Sequence, residues 1–240
     1  MMTREEVRLF YDRFGTRQDR QGFYEDAATR DLVAHAGFEE ARAVFEFGCG
    51  TGRFAAGLLV HQLPKGAAYT GCDVSSTMID LARRRLMPFG KRVHVQLTDG
   101  SVRLDRPDTG FDRFVSNYVL DLLPEEDIAL LMQEAYRVLT PDGRLCLVSL
   151  THGTTSISRF VSRVWTRVHG WRPNWVGGCR PIELQDFVQD RLWQVEYRNV
   201  VVARGIPSEI LVARKHPSVG SREEVNLRAG RPADGNRGGP

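Results

Sequence analysis

Two spacings of apolar residues divide this chain. Residues 3 to about 36 place Val7, Phe10, Tyr11 and Phe14 at helical spacing, an apolar stripe that predicts helices ahead of the first strand. Short apolar, β-prone runs follow at 44–47, 68–72, 93–97, 111–117 and 145–150, with helix-like stretches expected between them. The clearest helix follows the fourth run. Pro124 suits its first position, Glu125, Glu126 and Asp127 favour its positive end, and Ile128, Leu131, Met132, Ala135, Val138 and Leu139 share one face. Pro141-Asp142-Gly143 reads as the turn that ends it. Ile182 to Val188 reads as a further helix, and Trp193–Val202 with Ile206–Ala213 as a hairpin joined through Arg204-Gly205. Strands alternating with helices predict an α/β fold: a doubly wound, mostly parallel, seven-stranded sheet with an antiparallel last strand.

The first strand, Val44-Phe45-Glu46-Phe47, runs into Gly48-Cys49-Gly50-Thr51-Gly52 and then a helix-like segment, Phe54 to Leu63. Glycine is needed where a chain turns with φ > 0, or where a ligand presses on bare backbone. A strand, a glycine turn and a helix N-terminus make a nucleotide-sized cradle of N–H donors. A dinucleotide fingerprint would put its third glycine at position 53, which is Arg53, and no Lys-Ser or Lys-Thr follows for a phosphate loop. The second strand ends in Asp73, placed to accept hydrogen bonds from both hydroxyls of a ribose. Aspartate there is also a common helix cap, but Ser75, Ser76 and Thr77 already offer caps for the helix through Met78. The third strand ends in Asp99-Gly100, the fourth in Asn117-Tyr118. Ligands bind at such strand ends in open α/β sheets.

The pattern E-x-G-x-G-x-G over Glu46 to Gly52 resembles that of class I S-adenosylmethionine-dependent methyltransferases. Within them, it is most similar to the ubiquinone/menaquinone-biosynthesis branch and its small-molecule relatives. The motifs that carry this are Glu46 to Gly52, Asp73 with Ser75-Ser76-Thr77-Met78, Asn117-Tyr118-Val119-Leu120, and Val138 to Gly143. The resemblance covers residues from about 40 to 214. It implies S-adenosyl-L-methionine as cofactor and a last strand running antiparallel between the fifth and sixth. It also implies cofactor contacts from Glu46, Gly48, Cys49, Gly50, Gly52, Asp73, Val74, Met78, Asp99, Gly100 and Asn117, with the acid at Asp99 meeting the adenine amino group. Glu46 either orients the glycine loop or reaches the amino-acid end of the cofactor. Tyr11 either caps the cofactor or packs the core. Tyr118 stands where the quinone-type enzymes vary.

At 240 residues, 42% hydrophobic and 26% charged, the chain is sized for one soluble domain with a large core. Its sequence divides into a helical cap (1–40), a methyltransferase-like domain (41–215) with a lid-like insert at 151–180, and a Gly-, Pro- and Arg-rich tail (216–240) expected to be disordered. The start Met1-Met2-Thr3-Arg4 has no apolar signal, and no run of about 18 apolar residues occurs. Cys49, Cys72, Cys146 and Cys179 form no C-x-x-C pair, so a metal site or disulfide framework is not expected and a cytoplasmic setting is. The net charge of +3 does not call for nucleic acid. In the insert, Arg159, Arg163 and Arg167 repeat every four residues, with Phe160, Val161, Val164, Trp165 and Val168 on the other side. That face suits a lid over the substrate or a peripheral membrane contact through 159–175. Trp165, Trp171 and Trp175 suit a flat or greasy acceptor.

The expected activity is methyl transfer to a small apolar or aromatic acceptor, such as a quinone, lipid or natural product. A base helps when the acceptor is a hydroxyl or carbon acid. His152, directly after the fifth strand, and Tyr118 are the catalytic candidates, with Asp121 behind them. His152 also reads as a turn residue or a donor that orients substrate. A non-catalytic cofactor-binding scaffold is the alternative. A nucleic-acid methyltransferase is less favoured, because Ser116-Asn117-Tyr118-Val119 lacks the N-P-P-Y or D-P-P-Y motif.

Overall fold

The structure, a computed structural model, describes residues 2–153, 167, 178–189 and 191–216. Helix α1 (Arg4–Phe14) begins at a capping box, in which Thr3 and Glu6 satisfy each other's backbone N–H groups. A 3₁₀ segment, Gly15–Gln21, leads into α2 (Gly22–His35). There follow β1 (Ala43–Phe47), α3 (Arg53–His61), β2 (Ala68–Asp73), α4 (Ser76–Leu86), β3 (Val93–Leu97), β4 (Phe111–Asn117), α5 (Glu125–Val138), β5 (Leu139–Leu150), β6 (Trp193–Ala203) and β7 (Ile206–Lys215). The seven strands lie in the order β3-β2-β1-β4-β5-β7-β6. Strands β1 to β5 are parallel, and β7 runs antiparallel between β5 and β6. This is the doubly wound, Rossmann-like sheet that the alternation predicts. Arg204 (φ 50°) and Gly205 (φ 85°) make the hairpin turn, both left-handed as a two-residue hairpin link requires.

The strand period sorts the core into two layers. Val44, Val115, Cys146, Val148, Ile210 and Val212 face the layer of α2 and α3. Phe45, Phe47, Phe114, Leu145, Leu147 and Leu211 face the layer of α5. Glu46, between Phe45 and Phe47, therefore points to the α2/α3 side, into a buried position.

Some local expectations need correction. Pro124 is the residue before the first helical turn of α5, with extended ψ of 153°, and not the first turn itself. Helix α5 stops at Val138, and β5 starts at once. Pro141 and Asp142 project from it as a bulge, where the register jumps from Phe111↔Leu139 to Arg113↔Arg144. Only a 3₁₀ turn, Leu184–Phe187, forms where a helix is expected at 182–188. Its backbone is claimed by the sheet, since the Leu184 N–H donates to buried Glu209 at 2.7 Å. No helix separates β3 from β4. That link is tied to α5 instead, by Leu104 N–H on Glu134 (2.8 Å) and by Arg137 on the Leu104 carbonyl (2.8 Å). Of the insert, Arg167 is described and is exposed, whereas Arg159, Phe160, Val161, Arg163, Val164, Trp165, Val168, Trp171 and Trp175 lie outside the described residues, as does the tail beyond His216.

Gly52 precedes α3 at φ 72°, and a Cβ there would sit 3.1 Å from the Ala82 backbone of α4. Gly52→Ala is expected to lower the unfolding free energy by roughly 1–3 kcal/mol, from left-handed strain plus overpacking. Urea unfolding with an unchanged midpoint would show that α3 and α4 give way at no cost.

Candidate functional site

From β1 the chain builds outward through β2 to β3, then returns to place β4 on the other side of β1. The crevice outside the C-terminal ends of β1 and β4 is the position where such sheets take ligands. Gly48, Gly50 and Gly52 occupy it with φ of 80°, 51° and 72°. Each glycine answers a different need. At Gly48, the Val119 side chain fills the space a Cβ would take. At Gly52, α4 packs too closely. At Gly50, no atom lies within 4 Å of a Cβ position, so bare backbone opens on a cavity. The turn is held from below: Gly48 and Cys49 N–H groups both donate to the Cys72 carbonyl at 2.9 Å.

Two cavities meet at this turn. The first, about 220 Å³, is walled by Gly48, Gly50, Asp73, Val74, Met78, Gly100 and Asn117, and closed from above by Arg4, Val7 and Tyr11 of α1. The second, about 640 Å³, runs between α2 and α3 and includes Glu46, Cys49 and Tyr118. Gln18, Gly48, Gly50, Asn117 and Tyr118 line both. Because they join at the turn, a ligand with two unlike ends could reach into both. The polar edges fit as well. Asn117 presents a buried Oδ1 with no hydrogen-bond partner, while its amide donates to Glu46 at 3.4 Å.

Most of the predicted residues are brought together here. Asp73 accepts from Gly50 N–H and Ser75 N–H, each at 2.9 Å, one on each carboxylate oxygen. Burial raises its pKa against the pull of those N–H groups. Ser75 is the cap of α4, accepting from Met78 N–H at 3.2 Å, which leaves Asp73 free of that duty. Glu46 accepts from the Tyr69 hydroxyl, and burial pushes it up to about 7, against the pull of Tyr69 and Asn117 and with the Asp73 charge adding to the rise. Asp99 is exposed and its carboxylate accepts from Ser101 N–H at 2.8 Å; its neighbours Thr98 and Gly100 line the small cavity, and it does not. His152 is exposed at the end of β5 and lines neither cavity. Tyr118 sits at φ 55° with its hydroxyl donating to Ser208 at 2.9 Å and its ring edge-on to Tyr24. Burial raises its pKa. Asp121 is fully buried away from both cavities and is pushed up to about 7.

Sequence reasoning missed the residues that fasten the cap. Asp12 accepts from Ser75 Oγ at 2.6 Å and from Thr77 N–H at 3.2 Å, at the positive end of α4. Asp19 accepts from Thr51 Oγ1 at 2.6 Å and pairs with Arg85 at 2.5 Å. Arg53, noticed only as a misplaced glycine, holds Asp26 and Glu25 of α2. Among the described residues, no cluster of three His, Cys, Asp or Glu side chains is placed to hold a metal ion.

A buried acid whose pKa is raised binds its proton more tightly folded than unfolded. Its ionisation therefore erodes stability as pH climbs from about 4.5 to about 7. Glu46→Gln removes that loss. We expect the variant to unfold at higher temperature than the parent at pH 8, by roughly 1–3 kcal/mol of stability, with the gap closing by about pH 5. Parallel melting curves across that range would contradict the assignment.

A family model described as a methyltransferase domain matches residues 44–143. Demethylmenaquinone methyltransferase of Tropheryma whipplei (strain Twist) is 31% identical over 160 residues, 65% of this chain and 63% of the relative. Trans-aconitate 2-methyltransferase of Azoarcus sp. (strain BH72) is 34% identical over 120 residues, 50% and 44% of the two chains. The chain thus spans less than two thirds of the length of these curated relatives. In fold it is similar to geranyl diphosphate C-methyltransferase from Streptomyces coelicolor A3(2), with a TM-score of 0.60 at 14% identity over 80% of this chain and 78% of that one. With its E-x-G-x-G-x-G turn at the β1/β4 crevice and its β7 antiparallel between β5 and β6, the chain is similar to methyltransferases over residues 44–143 and shares the fold of a solved one.

Proposed function

We propose that this chain moves the methyl group of S-adenosyl-L-methionine to a small-molecule acceptor in the cytoplasm. The observation that carries the reading is the pair of cavities joined at Gly50, whose open backbone face lies beside the Asp73 carboxylate. When bound, the cofactor supplies a methyl group on a positively charged sulfur, already activated toward nucleophiles. The protein's part is then to bind, orient and keep water out.

Asp73 has one lone-pair region on each oxygen left after Gly50 and Ser75, which suits two ribose hydroxyls. Val74, Met78, Gly100 and Tyr11 suit the base. Asp99 is given the smaller share, through the chain direction it fixes with Ser101. Glu46 and Asn117 suit the amino-acid end, where an ammonium would supply the cation that Glu46 lacks. Val33, Phe54, Leu58 and Tyr118 give the larger cavity an apolar, partly aromatic wall for the acceptor's body. Tyr118 is assigned to positioning, because Ser208 holds its hydroxyl. His152 is given no proton-transfer step from its exposed position.

Calorimetric titration with S-adenosylhomocysteine is the direct test, with a dissociation constant near micromolar expected, about −8 kcal/mol. No heat at millimolar ligand would end the proposal. Asp73→Asn should weaken that binding about tenfold or more, and Asp99→Asn about threefold or less; the reverse order would reassign the two acids. Tyr118→Phe should cost about 1–2 kcal/mol of stability, by stranding Ser208, and leave cofactor affinity unchanged. Lost affinity at full stability would move Tyr118 into the binding machinery.

A further inference from the structure

Glu25, on the first turn of α2, is 8% exposed and lines the larger cavity. Its Oε2 accepts from Arg53 Nη2 at 3.3 Å. That guanidinium is already committed to Asp26 through Nη1 at 2.5 Å, so one cation serves two carboxylates. The other oxygen of Glu25, Oε1, has no hydrogen-bond partner. A buried carboxylate oxygen without a donor is costly, and a charged N–H donor is what relieves it best. The wall as a whole leans the same way. Five of its side chains are acids, namely Asp19, Glu25, Asp26, Glu39 and Glu46, against three basic ones, Arg30, Arg53 and His61. Asp19 is neutralised by Arg85 from outside the cavity. Burial pushes both Glu25 and Glu46 up to about 7, at Glu25 against the pull of Arg53 and Tyr24. Beside Glu25 the wall turns apolar and aromatic, with Val33, Phe54 and Tyr118.

We propose that the larger cavity takes a small molecule carrying a protonated amine, with the ammonium donating to Glu25 Oε1 and the carbon body resting on Val33, Phe54 and Tyr118. This rests on the methyltransferase reading of the adjoining cavity only in making that molecule the acceptor. Glu25 is its recognition anchor, and the atom that receives the methyl group is a separate matter. The amine narrows the acceptor class from any apolar or aromatic compound to a cationic one.

The test uses the full chain and three probes of one shape: phenethylamine (cation), 2-phenylethanol (neutral) and 3-phenylpropanoate (anion). Each is titrated by ligand-observed NMR, with and without saturating S-adenosylhomocysteine. Phenethylamine should bind about tenfold more tightly than 2-phenylethanol, the worth of one charge-assisted hydrogen bond, and should stay bound when the cofactor product is present. Glu25→Gln should bring the amine and the alcohol within about twofold of each other, with cofactor-product affinity unchanged. Equal binding of amine and alcohol, a preference for the carboxylate, or an amine preference that survives Glu25→Gln would overturn the proposal. So would displacement of phenethylamine by S-adenosylhomocysteine, which would give Glu25 to the cofactor's own ammonium. If S-adenosylhomocysteine fails to bind while the probes keep their order, the methyltransferase reading falls and the amine site stands. Should the variant not fold, the probe series on the parent protein decides alone.

Discussion

The absence of room at Gly48 governs the rest of this molecule. Val119, from the loop after β4, fills the place of a side chain at the exit of β1. The two strands can then diverge at their C-terminal ends only if the β1 exit turns left-handed and bare. The turn that results points Gly50 outward and leaves its N–H to Asp73 on the neighbouring strand. β1, β2 and β4 are thereby coupled at one point, each through a backbone atom of the same five-residue turn. A side chain at Gly48 would meet Val119, one at Gly52 would meet α4, and one at Gly50 would enter the cavity, so the three positions burden packing and binding unequally.

A second level of organisation is electrostatic. Helix α1 buries no residue fully, so it is held over the crevice by polar contacts rather than by a core of its own. Asp12 reaches α4, Asp19 reaches the glycine turn and Arg85, and Arg4 pairs with Asp127 at the start of α5. Exposed ion pairs of this kind are worth about 1 kcal/mol or less each. Their number and spread around the crevice set the position of α1, while the half-buried rings of Phe10, Tyr11 and Phe14 pack on one another along the helix. Glu46 and Glu25, by contrast, are buried acids that the fold leaves short of cations, which gives the two cavities an appetite for positive charge before any ligand arrives.

Local patterns made the sheet legible in the sequence: period-two apolar runs, a glycine turn, and polar residues at strand ends. Asp73, Asn117 and the three glycines stand out because each is marked by its place at the end of its own strand. The cap contacts are not marked in this way. Asp12 and Asp19 meet partners 32 to 66 residues away, and an aspartate on a helical or 3₁₀ segment looks the same whether it faces water or a distant N–H. Asp99 reads like Asp73 in sequence, but its carboxylate closes a local turn on Ser101. Tyr118 and His152 both follow strands. One hydroxyl is drawn down to Ser208 and one ring is left in solvent, outcomes set by β7, which enters the sheet some 90 residues later. Helix boundaries near Pro124 and Gly143 were displaced because sheet pairing and extended backbone at proline outweigh helical periodicity.

The fastening of α1 also sets an order of events in time. Ser75, Thr77 and Asp127 must be in place before Asp12 and Arg4 have anything to hold. The cap therefore docks on elements that have already formed. A segment joined late and mainly by surface contacts is also the cheapest to detach again, at far less than the free energy of global unfolding. The doorway of the crevice is thus built from α1, and its opening need not disturb the sheet beneath.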